Sequence, residues 1–280
     1  MWKKKLFIKA LEISVSFSSF IGVILSFIVF PTGYWWIGLI SFIGVFLVSF
    51  FTSYLVLRNL KHHRISRRGP IFIESMYGNI MEIKKRSNSG EKPVVVIPVN
   101  TSFDTIVEDD LNIKDRIVEG STIHGQWLNK YAPDELSLKN LQKEIKASIK
   151  NSGLILKHTL NNKRGNKEIY ELGSSIFIEK ENCSFLLFAL TEFDEHNKVI
   201  KKDPECFVEL MSKLMNATDK CPGKHVYIPV MGTKIALFGL NTLQAFEYIK
   251  NAAQNKKNSL RASITIVIYD GNRDEVSIYD

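Results

Sequence analysis

The chain has 280 residues and a formal net charge of +8, yet the whole excess lies at its start: residues 1–68 hold Lys3, Lys4, Lys5, Lys9, Arg58, Lys61, Arg64, Arg67 and Arg68 against Glu12 alone. The remainder balances 28 basic with 28 acidic residues. A charge confined in this way excludes the spread basic face of a nucleic-acid binder, and the length exceeds what one small domain needs.

From Ile13 to Leu57, 45 consecutive residues include no Asp, Glu, Lys, Arg or His. Pro31-Thr32-Gly33 splits the run into Ile13–Phe30 (18 residues) and Tyr34–Leu57 (24 residues). Each is long enough, as a helix, to cross a hydrocarbon core about 30 Å thick. The expectation is a two-helix transmembrane hairpin over residues 1–68 with basic juxtamembrane flanks. A cleaved signal peptide is the alternative for the first run, but that run is long, no small-x-small cleavage site follows it, and a second run arrives three residues later. Basic clusters on both flanks place both termini in the cytoplasm, as a multi-pass protein of the cell's inner (plasma) membrane, in contact with the lipid bilayer. Trp2, Tyr34, Trp35 and Trp36 fall near the span ends, where amphipathic rings prefer the interface. Ser14, Ser18, Gly22 and Ser26 recur every four residues, a stripe of small side chains expected to serve helix association and a homo-oligomer.

From residue 69 to 280 the pattern is that of one α/β domain. Runs of β-branched and aromatic residues at Val94–Val99, Ser184–Leu190, Val226–Met231 and Ile264–Tyr269 predict strands buried on both faces. Helical periodicity at Ser137–Asn151, Pro204–Asn216 and Leu240–Asn251 separates them, so the sheet is mixed and largely parallel. The polar stretch Asn161–Asn166 predicts an exposed turn.

Ligands of such sheets sit beyond the carboxyl ends of the strands. Two stretches qualify: Val94–Thr105, a strand running into Asn100, and Val226–Gly239, a strand followed by Gly232-Thr233 and then a helix. A glycine lets backbone amides approach a phosphate, and a helix N-terminus favours its charge; an ordinary turn is the competing reading. Cys183, Cys206 and Cys221 are odd in number and lack metal-ligand spacing, the histidines form no ligand pattern, and Glu108-Asp109-Asp110 reads as a solvated loop rather than a metal site. No metal, cofactor or catalytic residue is implied.

Four motifs carry a resemblance: Ile97–Asn100 with Phe103-Asp104-Thr105, Ser121–Leu128, Tyr170–Ser174 and Ile228–Thr233. In order and spacing they resemble the divergent macro domain of Thoeris antiphage effectors, over roughly residues 70 to 280, and a two-span hairpin before it is similar to the transmembrane-macro arrangement. The resemblance implies a ligand derived from ADP-ribose, with histidine-ADP-ribose as one candidate, made by a partner TIR-domain enzyme. It places Asn100 by the distal ribose, Gly232, Thr233, Lys234 and Gly239 at the diphosphate, and Asn79 where many macro domains have the adenine-binding Asp. Ser102, Phe103, Asp104 and Thr105 belong to the same strand-end segment. Phe103 stands where hydrolytic relatives carry a catalytic Asn, so binding without hydrolysis is expected, and His124 and Gly125 are expected to meet what distinguishes the ligand from ADP-ribose. A branched residue at Gly232 is expected to abolish binding without unfolding the domain. The implied function is a membrane effector, not an enzyme, that oligomerises on binding and ends in cell death. A membrane-tethered ADP-ribosyl hydrolase, or an anchor for a protein partner, is the alternative.

Overall fold

The computed structural model describes residues 2–26, 35–83, 92–110, 112–113, 116–233 and 238–279. Its first two elements are helices α1 (Trp2–Ser26) and α2 (Trp35–Asn59). They run antiparallel: Phe7 meets Phe50 edge-on at 5.2 Å, and a side-chain carbon at Gly22 would lie 3.3 Å from Phe42. The Pro31-Thr32-Gly33 break lies outside the described residues. Among those described, one helix, Trp36–Asn59, is long and apolar enough to cross a membrane, so the expected pair of spans is not established by the structure.

The small-residue stripe takes part in helix association inside one chain. Leu6, Ala10, Ser14 and Ser18, four residues apart, are fully buried, and Gly22 faces Phe42 of α2. Ser14 satisfies its hydroxyl on the Ala10 carbonyl at 2.7 Å. Ser14, Ser18 and Gly22 thus pack within one chain, because small side chains let two helix backbones approach closely, while the Ser26 side chain lies outside the described residues. The outward faces of both helices are apolar, with Phe17, Phe20, Val48 and Phe51 exposed.

Only Leu60 and Lys61 separate α2 from strand β1 (His62–Arg68), which pairs antiparallel with β2 (Ile71–Tyr77). The expected boundary at residue 69 therefore falls between two paired strands. β1 escapes sequence reading because it is a polar edge strand: Arg64 reaches Glu74 at 3.3 Å and stacks on Phe72 instead of burying an apolar face.

The other strands are β3 (Val94–Asn100), β4 (Leu156–Thr159), β5 (Glu168–Tyr170), β6 (Ser175–Glu179), β7 (Ser184–Thr191), β8 (His225–Pro229) and β9 (Ser263–Ile268). The described strands form a seven-stranded sheet in the order β1-β2-β9-β8-β3-β7-β6, with β4-β5 a separate ribbon. The inner pairs are parallel and the two rims antiparallel. The sheet is mixed and largely parallel, as its doubly buried strands predict.

Helices cover both faces. Helices α3 (Ile123–Tyr131) and α4 (Glu135–Asn151) bury Trp127, Leu128, Leu141 and Ile145 on one side. On the other, α5 (Pro204–Thr218) and α6 (Thr242–Asn255) bury Phe207, Leu214, Phe246 and Ile249. Asp134, Asp203 and Asn241 cap their helices with side-chain oxygens on third-residue amides, which fixes where each begins. The chain's last residues return to the helix pair: the Tyr279 hydroxyl donates to the Leu57 carbonyl at 3.0 Å, and its ring meets His63. The end of α2 is thus held by a two-residue link and by the C-terminal segment.

Candidate functional site

Strands β3 and β8 are neighbours, yet they pair only at Val94↔Val226 and Val95↔Tyr227. Beyond those residues β3 continues along β7 and β8 along β9, so the sheet parts toward its carboxyl ends. Pro98 and Pro229 sit at this opening, where a missing N–H costs least because the ladder has ended. The connections from β3 and β8 lead to opposite sides of the sheet, which makes this a topological switch point.

The opening is a cleft of about 980 Å³, near the upper end of about 300–1,000 Å³ for small-molecule sites. It crosses five strand ends in order: Asn79 after β2, Tyr269 after β9, Gly232 and Thr233 after β8, Asn100 at the end of β3, and Thr191 at the end of β7 with Asn197 after it. The start of α3 and the segment before it, with Arg116, Thr122 and His124, close one side.

Asn100 is buried and its amide is committed on two sides: Nδ2 donates to Asp104 Oδ2 at 3.0 Å, and Oδ1 accepts the Asp104 amide at 3.1 Å. Phe103 makes the turn between them with φ +50°, the left-handed region that few non-glycine residues occupy. Its ring is buried and meets Tyr170 at 5.9 Å. Ser102, Phe103, Asp104 and Thr105 therefore lie beneath the cleft and are not part of its lining; Thr105 holds Gln142 of α4 at 2.9 Å.

What the turn grips is the segment read as an exposed polar loop. Lys163 is fully buried, with its ammonium 2.6 Å from Asp104, and the Asn166 amide donates to the other carboxylate oxygen at 2.6 Å. Burial pushes the Asp104 carboxyl above its ordinary range, while Lys163, Asn166 and Asn100 pull it down. This polar anchor sets the position of Asn100 from below.

Asn79 caps a short 3-10 turn, accepting from the Met81 amide at 3.0 Å, and borders the β2 end of the cleft. Thr122 caps α3 by accepting the Gly125 amide at 3.0 Å. Gly125 does not line the cleft; a side-chain carbon there would overlap the Glu119 carbonyl, so close backbone approach accounts for the glycine. His124, in the same helical turn, lines the cleft and is buried beside Trp127.

Burial depresses the His124 imidazole to about 3, so the ring is neutral near pH 7 and offers one donor and one acceptor. An unfolded chain restores the ordinary value near 6.5 and takes up a proton that the folded chain refuses. Stability is therefore full above pH 6.5 and falls as the pH drops toward 3. Between pH 7 and pH 5 the wild type is expected to lose roughly 2 kcal/mol more than His124→Gln. Urea melts at both pH values check this, and equal losses would mean that the ring is solvated.

After β8, Gly232 has φ +91°, and a side-chain carbon there would overlap the buried Phe207 ring. The glycine is thus required by packing as well as by backbone shape. Gly239 has φ +71°, meets nothing within 4 Å among the described residues and is not part of the described lining, and Lys234 lies outside the described residues. Helix α6 begins at Thr242 behind a full capping box, in which the Asn241 side chain accepts the Gln244 amide and the Gln244 side chain accepts the Asn241 amide.

The acidic run also proves structural: Glu108 accepts the Ile117 amide and pairs with Arg164, and Asp109 accepts the Gly120 amide. Among the described residues no group of three or more His, Cys, Asp or Glu is placed to hold a metal. Sequence reading missed Arg116, Tyr269 and Asn197 as cleft residues; no local pattern marks them, since the cleft is assembled from separate loops.

An open α/β sheet with a crevice at its switch point defines the class. The chain belongs to the family of the Thoeris protein ThsA macro domain, whose model matches residues 73–269. Similar solved structures are those of the Oceanobacillus iheyensis macrodomain: a point mutant at 15% identity and TM-score 0.48, covering 79% of this chain and 94% of that one. A second mutant, with ADPR, is 14% identical with TM-score 0.47, covering 78% and 94%. The form with ADP is 14% identical with TM-score 0.48, covering 78% and 92%. No curated protein matches the chain.

Proposed function

We propose that the protein is a membrane effector of a Thoeris-like antiphage system, held in the inner membrane with both termini in the cytoplasm. An ADP-ribose-derived signal, with histidine-ADP-ribose the leading candidate, is made by a partner TIR enzyme and binds the macro-type cleft. Binding then drives assembly that disrupts the bilayer. The observation that carries this reading is the cleft itself, in a chain of the ThsA macro-domain family whose strand β1 follows, after two residues, a helix apolar enough to span a membrane.

In this reading the ligand lies across the strand ends: adenine toward Asn79 and Tyr269, diphosphate on Gly232 and Thr233 with Arg116 opposite, distal ribose at Asn100, and the conjugated group toward His124. Binding rather than hydrolysis is supported by Phe103, whose ring is buried against Tyr170 and offers no group to activate water. A ligand shifts an equilibrium only by its differential affinity for two states. The Tyr279–Leu57 contact is where a change in the domain would reach α2. With Ser14, Ser18 and Gly22 packed inside one chain, assembly would use the outward apolar faces or the domain.

The test is calorimetry on the full chain in lipid nanodiscs with ADP-ribose and its histidine conjugate. Binding of at least one is expected; no heat from either would remove the nucleotide from the account.

A further inference from the structure

Asn197 follows β7 in a tight turn in which Phe193 bridges Val199 and the Asp194 carboxylate accepts the amides of His196 and Lys198, both at 2.9 Å. Glu195, His196 and Lys198 around it are exposed, but Asn197 is 1% exposed and lines the cleft. Both its amide oxygen and its amide nitrogen are buried without a hydrogen-bond partner among the described residues. Buried polar groups are otherwise almost always paired, so an orphaned donor and acceptor on one side chain, in the wall of a cleft, mark a place that a ligand completes. The backbone there is left-handed, φ +61°, and the turn's own hydrogen bonds hold it, so the amide is set in place before anything binds.

Its position says which part of a ligand it meets. Strand order places Asn79 at one end of the cleft and Asn197 at the other, with Gly232 and then Asn100 between them. Four strand spacings separate the ends, roughly 19 Å. If the proposed nucleotide runs in that order, Asn197 lies one strand beyond the residue at the distal ribose. We infer that Asn197 reads the group joined to the distal ribose, and that this group presents a hydrogen-bond donor and an acceptor side by side, as a carboxamide, an imidazole or an amino acid does. Unsubstituted ADP-ribose leaves the amide unpaired. The inference rests on the nucleotide reading above and adds what distinguishes the cognate ligand from its parent.

The experiment compares ADP-ribose with its histidine conjugate by calorimetry on the full chain in nanodiscs, for wild type, Asn197→Gly and Asn197→Asp. Glycine keeps the left-handed backbone and removes the amide; aspartate keeps the size and an acceptor but loses the donor. The wild type is expected to prefer the conjugate, and each variant to lose about tenfold or more of that preference while binding ADP-ribose within twofold of wild type. Conjugate and ADP-ribose bound equally by the wild type, or an unchanged preference in both variants, overturns the inference and leaves the nucleotide site intact. Equal weakening of both ligands assigns Asn197 a merely structural role and overturns it as well. A wild type that binds neither overturns the inference together with the reading it rests on.

Discussion

Replacing Lys163 by Met is expected to destabilise the α/β domain by about 3–5 kcal/mol, the usual cost of removing one partner from a buried ion pair. Lys163 and Asp104 both have fully buried side chains 2.6 Å apart, and the ammonium also donates to the Arg164 and Asn166 carbonyls at 3.1 Å. Without it the carboxylate must either remain charged in a poor dielectric or take up a proton, and burial already biases it toward the latter. Removing both partners, with Asp104→Leu added, should cost less than the sum of the single changes, since no uncompensated charge is left behind. Urea melts of the three variants measure this. A loss below about 1 kcal/mol for Lys163→Met would show an exposed pair. Asp104 positions Asn100, so Lys163→Met should also weaken nucleotide binding although Lys163 does not line the cleft.

Gly232→Val should cost roughly 2–6 kcal/mol, because two penalties fall on one residue: about 1–3 for a branched residue at positive φ and about 1–3 for overpacking. The backbone sits at φ +91°, and the new side chain would enter the Phe207 ring, itself packed against Phe238 at 5.2 Å and Tyr248 at 6.2 Å. The expectation that this change blocks the ligand while leaving the domain intact is therefore corrected: loss of binding would accompany loss of stability. Gly239→Ala supplies the comparison, with φ +71° and no neighbour within 4 Å among the described residues, and should cost only the backbone share, about 1–3 kcal/mol. Equal melting temperatures for the two variants would place Phe207 away from Gly232.

The parts legible in sequence are those whose signal is local. Strands β3 and β7, buried on both faces, show it in the runs Val94–Val99 and Ser184–Leu190, and α4 shows it in the spacing of Leu141 and Ile145. β1 was not legible, because its side chains are polar and its pairing with β2 is visible only once the turn has formed. Lys163 sits in a stretch with the composition of an exposed turn; its burial depends on Asp104, 59 residues away, and no window of sequence contains both. The stripe Ser14, Ser18, Gly22 correctly marked a close helix contact, but periodicity does not say whether the partner is α2 or a second copy. Asn79, Asn100, His124, Gly232 and Thr233 do meet at one cleft, since His124 lies in the first turn of α3 beside it and each of the others ends or follows a strand. Ser102 to Thr105 do not, because the left-handed turn at Phe103 sends the chain downward, and φ is invisible in a sequence.

The central claim, that a nucleotide bound by the domain breaches a bilayer, is tested most directly by dye release from vesicles of phosphatidylethanolamine and phosphatidylglycerol carrying the full chain. Histidine-ADP-ribose should release the dye from vesicles carrying the wild type and leave protein-free vesicles intact. Binding of the ligand to the reconstituted chain with no release at saturation would contradict the account and leave a membrane-held nucleotide-binding protein in its place.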